Sequence, residues 1–337
     1  MTGTEMRPDR EPLPRDAWYV GCASAELGKE APLGRRVHDL ALVLFRDADG
    51  TPVALLDRCP HRGVALSLGS LQDGMIACAY HGWRYGADGG CAHIPSLAAG
   101  REMAAGIAAR HFPCIESQGN VWVWTGEGAP PSAAPPVVAD FAERTWLQGV
   151  LDLACEAMLP IENNLDICHA YFTHPRLHPQ WFAVERHGFQ DRDYDLTTTE
   201  TGLEVTAGEG PGRLRLAFEL PGRVTVDAGP AAPMVVLDHV PIGTGRCRQH
   251  WLVSLPIPGA AHGVRWTDEA SEILEQDRRV MESAQRNYAA EGDGFERSVE
   301  ADAPTLLARR IVRVAREGGW PRDRDRLPAH RRVVARS

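Results

Sequence analysis

Apolar residues recur in short runs through the first third of the chain, and turn residues separate the runs. The runs cover residues 18–20, 41–45, 53–56 and 121–124, and Asp49-Gly50 and Asp88-Gly89-Gly90 lie among the turns. Runs of this length between turn signals are typical of strands in a small antiparallel domain. Residues 126–136 are rich in Gly and Pro and are typical of a linker.

Beyond the linker the pattern of apolar positions changes. Residues 151–174 have helical character interrupted at Pro160, whereas residues 213–220 are apolar at every second position. Such alternation buries one face of an antiparallel sheet. Further strands are predicted at residues 224–226, 234–240 and 249–255, and a long helix is predicted from residue 267 to about 291. We therefore predict an α+β chain, in which an all-β domain precedes an antiparallel sheet covered by a long helix in a helix-grip-like arrangement.

These patterns divide the chain into five predicted segments. They are a flexible N-terminal tail (1–15), a first domain (16–128), a linker (129–140), a second, catalytic domain (141–320) and a basic C-terminal tail (321–337).

Composition and charge narrow the function. A net charge of −9 argues against a nucleic-acid partner, which would need a basic surface. No apolar run approaches the roughly 18 residues that span a bilayer, and the first residues contain no apolar signal segment, so we expect a cytoplasmic protein without membrane attachment. Most of the eight Cys are scattered, as expected for small buried side chains in a reducing compartment.

The clearest chemical pattern is a pair of Cys/His clusters. Cys59 and His61 stand one residue apart, and after sixteen residues Cys78 and His81 follow with two residues between them. Two thiolates and two imidazoles are the ligands of a [2Fe–2S] cluster in which one iron binds Cys and the other binds His. A structural zinc site is the alternative, although zinc motifs more often pair Cys with Cys and His with His.

Cys59-Pro60-His61 together with Cys78-Ala79-Tyr80-His81-Gly82-Trp83 resembles the Rieske motif. The resemblance implies that Cys59, His61, Cys78 and His81 hold a [2Fe–2S] cluster on loops of the first domain. Imidazole ligands lower the negative charge of such a cluster and raise its potential, which suits an electron relay.

A second group of polar residues lies early in the second domain. On a helical wheel, Asn163, Asp166, His169 and His174 fall within an arc of roughly 140°. Two His and a carboxylate are the ligand set of a non-haem Fe(II) centre with open positions for O₂ and substrate. The wheel leaves open a pair of hydrogen-bonded His at a helix end, and by itself it favours Asp166 as the carboxylate.

The spacing Asn-x-x-Asp-x-x-His-x(4)-His is similar to the iron-site signature of Rieske non-haem iron oxygenases. This resemblance implies that His169 and His174 bind iron and that the third ligand comes from the later long helix. It also implies that Asp166 links the two centres by accepting a hydrogen bond from His81, and that Asn163 lies near the iron.

The long helix offers one carboxylate within its apolar stripe, Asp277. The stripe consists of Ile273, Leu274, Val280, Met281, Ala284 and Tyr288. A carboxylate on a buried face needs a cation or hydrogen-bond donors, because leaving it unpaired costs several kcal/mol. We therefore predict that Asp277 is the third iron ligand, with an ion pair to Arg278 or another Arg as the alternative.

The resemblance implies a terminal oxygenase component. Electrons from NAD(P)H would arrive through a separate reductase or ferredoxin, since no Gly-x-Gly-x-x-Gly fingerprint follows a strand in this chain. They would pass through the [2Fe–2S] cluster to Fe(II), which activates O₂ to hydroxylate or oxidatively demethylate a small aromatic or cyclic substrate. Family members assemble head to tail as rings, so we expect a homotrimer.

Length and layout resemble the monooxygenase group that includes vanillate and dicamba O-demethylases. In that group His239 would face the substrate; a His hydrogen-bonded within its own sheet is the alternative. Three other functions remain open at this point: a Rieske electron carrier without oxygenase activity, an arene cis-dihydroxylating dioxygenase and a zinc-stabilised binding module.

Overall fold

The structure, a computed structural model, describes residues 12–130, 134–210, 213–229, 232–255, 263–292 and 294–337. The chain forms two units with separate internal packing. The first comprises Arg15–Ala139, and the second comprises Asp140–Ser337 together with residues 12–14.

The first unit is built from antiparallel strands in three sheets. One sheet has the order β1-β11-β10, a second β2-β3-β4-β9 and a third β5-β6-β7-β8. The strands are β1 (Trp18–Ala23), β2 (Leu33–Val37), β3 (Leu40–Arg46), β4 (Pro52–Leu56), β5 (Ser70–Gln72), β6 (Met75–Ala77), β7 (Arg84–Tyr85), β8 (Cys91–His93), β9 (His111–Phe112), β10 (Cys114–Ser117) and β11 (Asn120–Trp124).

The core of the first unit extends directly beneath the Cys/His loops. Val43 and Phe45 of β3 and Leu55 of β4 are buried in one cluster with Cys59 and Cys78. The apolar runs of the sequence therefore form the support on which the two loops rest.

The second unit is dominated by an eight-stranded antiparallel sheet. Its strand order is β12-β18-β17-β16-β15-β14-β13-β19. The elements are β12 (Thr145–Leu153), α1 (Met158–Leu165), α2 (His169–Thr173), α3 (Pro179–His187), β13 (Asp191–Thr198), β14 (Gly202–Ala207), β15 (Leu214–Glu219), β16 (Arg223–Asp227), β17 (Val235–Pro241), β18 (Cys247–Leu255), α4 (Gly263–Glu291), α5 (Ala303–Arg316) and β19 (His330–Arg336).

Helix α4 covers one face of this sheet. Leu274 packs against Leu237, Trp251 and Val253, whose positions on β17 and β18 place them on the same face. The indole of Trp251 lies over Gly149 of β12, where a Cβ atom would come within 2.1 Å of the ring. The α+β prediction, with a long helix across an antiparallel sheet, is confirmed. Among the described residues, no helix combines the length and hydropathy needed to cross a bilayer.

Three predictions about the interior of the second unit need correction. Residues 151–174 are not one helical region, because β12 continues to Leu153 and helix begins only at Met158. Pro160 does not interrupt helix α1, because it lies in the first turn, where its missing N–H has no intrahelical partner to lose. Val280 is 50% exposed and does not belong to the buried stripe of α4. Helix α3 was not predicted.

The predicted tails are partly wrong. Residues 1–11 lie outside the described residues, but Leu13 is buried and contacts Gly222. The predicted basic tail, residues 321–337, ends in strand β19, which pairs with β13 at the edge of the sheet. Val333 and Ala335 face the core between exposed Arg residues, so the charge of this segment lies on its solvent face.

The predicted linker is held at Val138. The side chain of Gln118 accepts a hydrogen bond from the backbone N–H of Val138 and donates one to its carbonyl oxygen.

Candidate metal centres

Two loops of nearly identical backbone design present the first four candidate ligands. In one, the Cys59 carbonyl accepts from Gly63 N–H, and Cys59 N–H donates to the Val64 carbonyl. In the other, Cys78 makes the same two bonds to Gly82 and Trp83. Gly63 and Gly82 have φ values of 75° and 69°, which favour glycine. The local sequence therefore determines both turns.

The thiols and the imidazoles of the two loops differ in their burial. Cys59 and Cys78 are buried, whereas the His61 and His81 rings lie 4.7 Å apart, centroid to centroid, and closer to the surface. His61 stacks on Trp83 at 4.3 Å, and its Nδ1 is buried without a hydrogen-bond partner among the described residues. Two buried thiols in one cluster and two neighbouring imidazoles, one with a buried nitrogen that lacks a partner, fit the ligand set of a [2Fe–2S] cluster.

Two groups act on the cysteine sulfurs. The buried Tyr85 hydroxyl lies 3.2 Å from Cys59 Sγ. Burial raises the pKa of the Cys78 thiol, while the backbone N–H of Tyr80 works in the opposite direction. Tyr85 was not singled out in the sequence, although its position two residues after Trp83 places it on strand β7 directly after the loop.

The second candidate centre begins where α1 ends. The 163–174 segment is not a continuous helix, because the backbone of Asp166 is extended, with ψ of 119°. The Asp166 carboxylate instead accepts the backbone N–H groups of Cys168 (2.7 Å) and His169 (3.2 Å) at the start of α2. His169 Nδ1 lies 3.0 Å from the Asp166 carbonyl oxygen. Asp166 thus orients His169 through both its side chain and its backbone.

His169, His174 and Asp277 meet, although about a hundred residues separate Asp277 from the others. Asp277 Oδ1 lies 3.2 Å from His174 Nε2 and 3.7 Å from His169 Nε2. One ligand atom from each residue lies within 4.8 Å of the other two. His174 and Asp277 are only 1% and 5% exposed. Two His and one carboxylate in this arrangement fit a mononuclear Fe(II) site.

Electrostatics are consistent with a cation site here. Burial works to lower the pKa of His174, but the Asp277 carboxylate outweighs it, and the pKa is raised above the ordinary value. Asp277 Oδ1 is buried and makes no well-formed hydrogen bond within the described part of the chain. The alternative ion pair with Arg278 is not found, because Arg278 binds Glu275 and Glu282 instead.

The other predicted residues lie outside this three-residue group. Asn163 is in α1, and its Nδ2 is buried without a partner among the described residues. His239 is buried in β17; its Nδ1 lies 2.7 Å from the Gly222 carbonyl, and its Nε2 lies 3.5 Å from Asn164 Nδ2. Burial lowers the pKa of His239 to about 4, so the ring is neutral. Its bond to Gly222 is the within-sheet arrangement considered as the alternative.

One residue beside the ligands was missed. Gln276, directly before Asp277, lies with Oε1 2.9 Å from His174 Nδ1. The only signal in the sequence was an uncharged polar side chain next to a carboxylate in an apolar stripe.

Comparison with known proteins decides the nature of the first unit. Residues 17–113 match the Rieske [2Fe-2S] domain. The first unit is a Rieske domain. Its family match confirms the predicted [2Fe–2S] cofactor, and the four donors on the two loops are the residues that fit it.

The chain is homologous to oxygenase components of O-demethylases. It is 38% identical to the dicamba O-demethylase oxygenase component of Stenotrophomonas maltophilia over 62% of this chain and 56% of that protein. It is 35% identical to the vanillate O-demethylase oxygenase subunit of a Pseudomonas strain over 48% of this chain and 45% of that protein. It is 31% identical to chlorophyllide a oxygenase of Chlamydomonas reinhardtii over 74% of this chain and 36% of that protein. The chain thus spans about a third to just over half of these relatives.

The fold beyond the Rieske domain is also shared with solved structures. Dicamba monooxygenase bound to dicamba superposes with a TM-score of 0.76 at 24% identity, over 90% of this chain and 97% of that one. NdmB of Pseudomonas putida CBB5 superposes with a TM-score of 0.75 at 22% identity, over 90% of this chain and 92% of that one. The fold of this chain is therefore shared with both proteins.

Proposed function

We propose that this chain is the terminal oxygenase component of a Rieske-type system and acts as a monooxygenase. One observation carries the proposal: a chain with a Rieske domain also brings His169, His174 and Asp277 within 4.8 Å of one another. Burying a carboxylate costs several kcal/mol unless a cation or hydrogen-bond donors compensate. A protein that only carried electrons would gain nothing from this second buried group, whereas an oxygenase would use it to bind iron.

The proposed roles of the residues are supported by their geometry. His169 and His174 would hold Fe(II) through Nε2, and Asp277 would hold it through Oδ1. When bound, the [2Fe–2S] cluster would supply single electrons and the mononuclear iron would supply O₂ activation. Cys59, Cys78, His61 and His81 would hold the cluster, with Tyr85 donating a hydrogen bond to sulfur.

Asp166 would link the cluster to the mononuclear iron, and Asn163 would act beside the iron. Both bonds of the Asp166 carboxylate to α2 use Oδ1, so Oδ2 can accept a hydrogen bond from His81 of a neighbouring subunit. The buried Nδ2 of Asn163, in the last turns of α1 before these ligands, would donate to a group bound near the iron.

The substrate is proposed to be a small aromatic or cyclic molecule that is hydroxylated or demethylated. The names of the relatives support this class, since they act on dicamba and vanillate. His239 would contact substrate through Nε2: with Nδ1 donating to Gly222, the neutral ring keeps Nε2 as an acceptor, and the substrate would replace the Asn164 amide that lies 3.5 Å away.

The proposed partners are a reductase or ferredoxin, which would deliver electrons from NAD(P)H, and two further copies of this chain in a homotrimer. The relatives are named as components or subunits, which supports a separate electron donor. A cytoplasmic location is proposed from the free thiols, since the eight Cys form no disulfide.

The test is a substrate panel under ¹⁸O₂. Protein loaded with iron would be incubated with a surrogate reductase, NADH and a panel of aromatic ethers, N-methyl compounds and fused rings. We expect substrate-dependent O₂ uptake, with ¹⁸O in a hydroxylated product or formaldehyde equimolar with a demethylated one. Protein that binds the cluster but takes up no mononuclear iron would contradict the proposal.

A further inference from the structure

The side chain of Gln276, on helix α4, contacts both His174 of the candidate iron site and Glu272 of the same helix. Its side-chain Oε1 lies 2.9 Å from His174 Nδ1, and its Nε2 donates to Glu272 Oε1 at 3.1 Å, one helical turn earlier. The next residue, Asp277, faces the other nitrogen of the same imidazole. A single helix therefore contacts both sides of the His174 ring.

The direction of these hydrogen bonds is determined by chemistry. An ionised Glu272 can only accept, so the amide of Gln276 must present its NH₂ group to Glu272 and its oxygen to His174. That oxygen can only accept, so His174 Nδ1 must carry a proton. The lone pair of His174 Nε2 is then available on the side where Asp277 lies.

Without Gln276 the other tautomer would compete. A neutral imidazole has one proton, and Asp277 Oδ1 is an acceptor 3.2 Å from His174 Nε2. A proton on Nε2 would block the atom that the metal needs. His169 does not depend on a side chain in this way, because the backbone carbonyl of Asp166 is the acceptor for its Nδ1.

We propose that Gln276 is a positioning residue that holds His174 in the Nδ1–H tautomer, with Glu272 orienting the amide of Gln276. Outer partners of this kind fix the tautomer and orientation of a metal-binding histidine. The inference rests on the proposed mononuclear iron site and adds to it a relay of three side chains, Glu272, Gln276 and His174.

The test measures Fe(II) binding rather than turnover. Cluster-containing protein without mononuclear iron would be titrated with Fe(II) under nitric oxide, and the S = 3/2 EPR signal of the Fe(II)–nitrosyl site would be quantified. For Gln276→Leu we expect apparent affinity to fall about 10- to 100-fold, with a changed EPR line shape. Gln285→Leu is the matched control, since it removes one amide hydrogen bond elsewhere on α4 and should leave both readouts unchanged.

A double exchange separates the hydrogen-bond relay from a general packing effect. In Glu272→Gln/Gln276→Glu, residue 272 can donate to residue 276, and residue 276 can accept from His174, so affinity should return to within about threefold of the wild type. Gln276→Glu alone places two carboxylates one turn apart and should bind less well than the exchange.

The outcomes are distinct. Wild-type affinity and line shape in Gln276→Leu would overturn the role of Gln276, and so would a double exchange that folds but binds no better than Gln276→Leu. A wild-type chain that binds no mononuclear iron would instead overturn the proposed function itself.

Discussion

Asp277 carries a buried carboxylate, since the residue is only 5% exposed. Its nearest charged neighbour in sequence, Arg278, is engaged by Glu275 and Glu282, while two imidazole nitrogens lie 3.2 and 3.7 Å from its Oδ1. Oδ1 receives no well-formed hydrogen bond from either ring within the described residues, whereas a divalent cation would compensate the buried negative charge.

For Asp277→Ala we expect total iron to fall from about three to about two per chain, because the cluster keeps its two irons and the mononuclear iron loses a ligand. The visible spectrum of the cluster should persist while product formation is lost. Iron analysis and absorbance would check this, with Asp191→Ala, whose side chain is 75% exposed, as the control. Unchanged iron content would refute the assignment.

Tyr85 lies beside the proposed cluster ligand Cys59 rather than in the candidate iron site. Its hydroxyl is 3.2 Å from Cys59 Sγ, and burial raises its pKa further above the ordinary value, so it remains a hydrogen-bond donor. A hydrogen bond to a ligand sulfur stabilises the reduced cluster, which carries more negative charge.

For Tyr85→Phe we expect the reduction potential of the cluster to fall by roughly 20 to 65 mV, the equivalent of about 0.5–1.5 kcal/mol for one electron. Redox titration followed by EPR would measure the change. Tyr80→Phe removes an exposed hydroxyl from the same loop and should leave the potential within error. Equal potentials for wild type and Tyr85→Phe would exclude this contribution.

At the scale of elements, Arg309 joins three helices of the second unit. Its guanidinium binds both oxygens of Glu162 on α1, at 2.6 and 2.8 Å, and both oxygens of Glu296. Glu296 also accepts from Tyr288 of α4. Because α1 carries Asn163 and leads into the loop that holds Asp166, this ion-pair group fixes the helix from which that loop begins.

For Arg309→Met we expect a loss of about 2–4 kcal/mol in the free energy of unfolding, because Glu162 stays buried without its guanidinium partner. Arg310→Met, on the exposed neighbour in α5, should cost less than about 0.5 kcal/mol. Urea unfolding followed by far-UV circular dichroism would compare the two. Equal free energies of unfolding for the two variants would mean that the Arg309 ion pairs stabilise the protein no more than exposed ion pairs do.

At the scale of the whole molecule, each chain carries one set of candidate cluster ligands and one set of candidate iron ligands, in separate units. The proposed trimer would let the cluster loops of one copy serve the iron site of the next. A head-to-tail interface that closes on itself makes a ring with identical contacts at each junction.

The trimer predicts a mass of about 111 kDa by light scattering, three times the 36.9 kDa of one chain. It also predicts that co-expressed His81→Ala and Asp277→Ala chains form mixed rings with partial activity, since an intact cluster then lies beside an intact iron site. Active protein that is only monomeric, or mixed rings that remain inactive, would contradict this arrangement.

The sequence by itself determined the features that depend on neighbouring residues. The Cys59 and Cys78 loops could be predicted because each turn closes within five residues through a left-handed glycine. The strands of the first unit could be predicted because short apolar runs lie between turn residues. Strand β15 was predicted from alternating apolar residues, but Leu216, Ala217 and Phe218 are all buried, so the expected burial of a single face is wrong there. His169 and His174 were found from a family spacing, although the single helix assumed for them is broken at Asp166.

Only the tertiary structure decided the features that join distant residues. Nothing local to Asp277 or Gln276 specifies which imidazole nitrogens they meet, since the folding of α4 against the sheet brings them to His174 across about a hundred residues. Strand β19 was read as a solvated tail because its Arg residues dominate the composition, and only pairing with β13 separates the charged face from buried Val333 and Ala335. Local patterns set which groups are available, and long-range packing sets which of them touch, because burial of a polar side chain depends on the partners that the fold supplies.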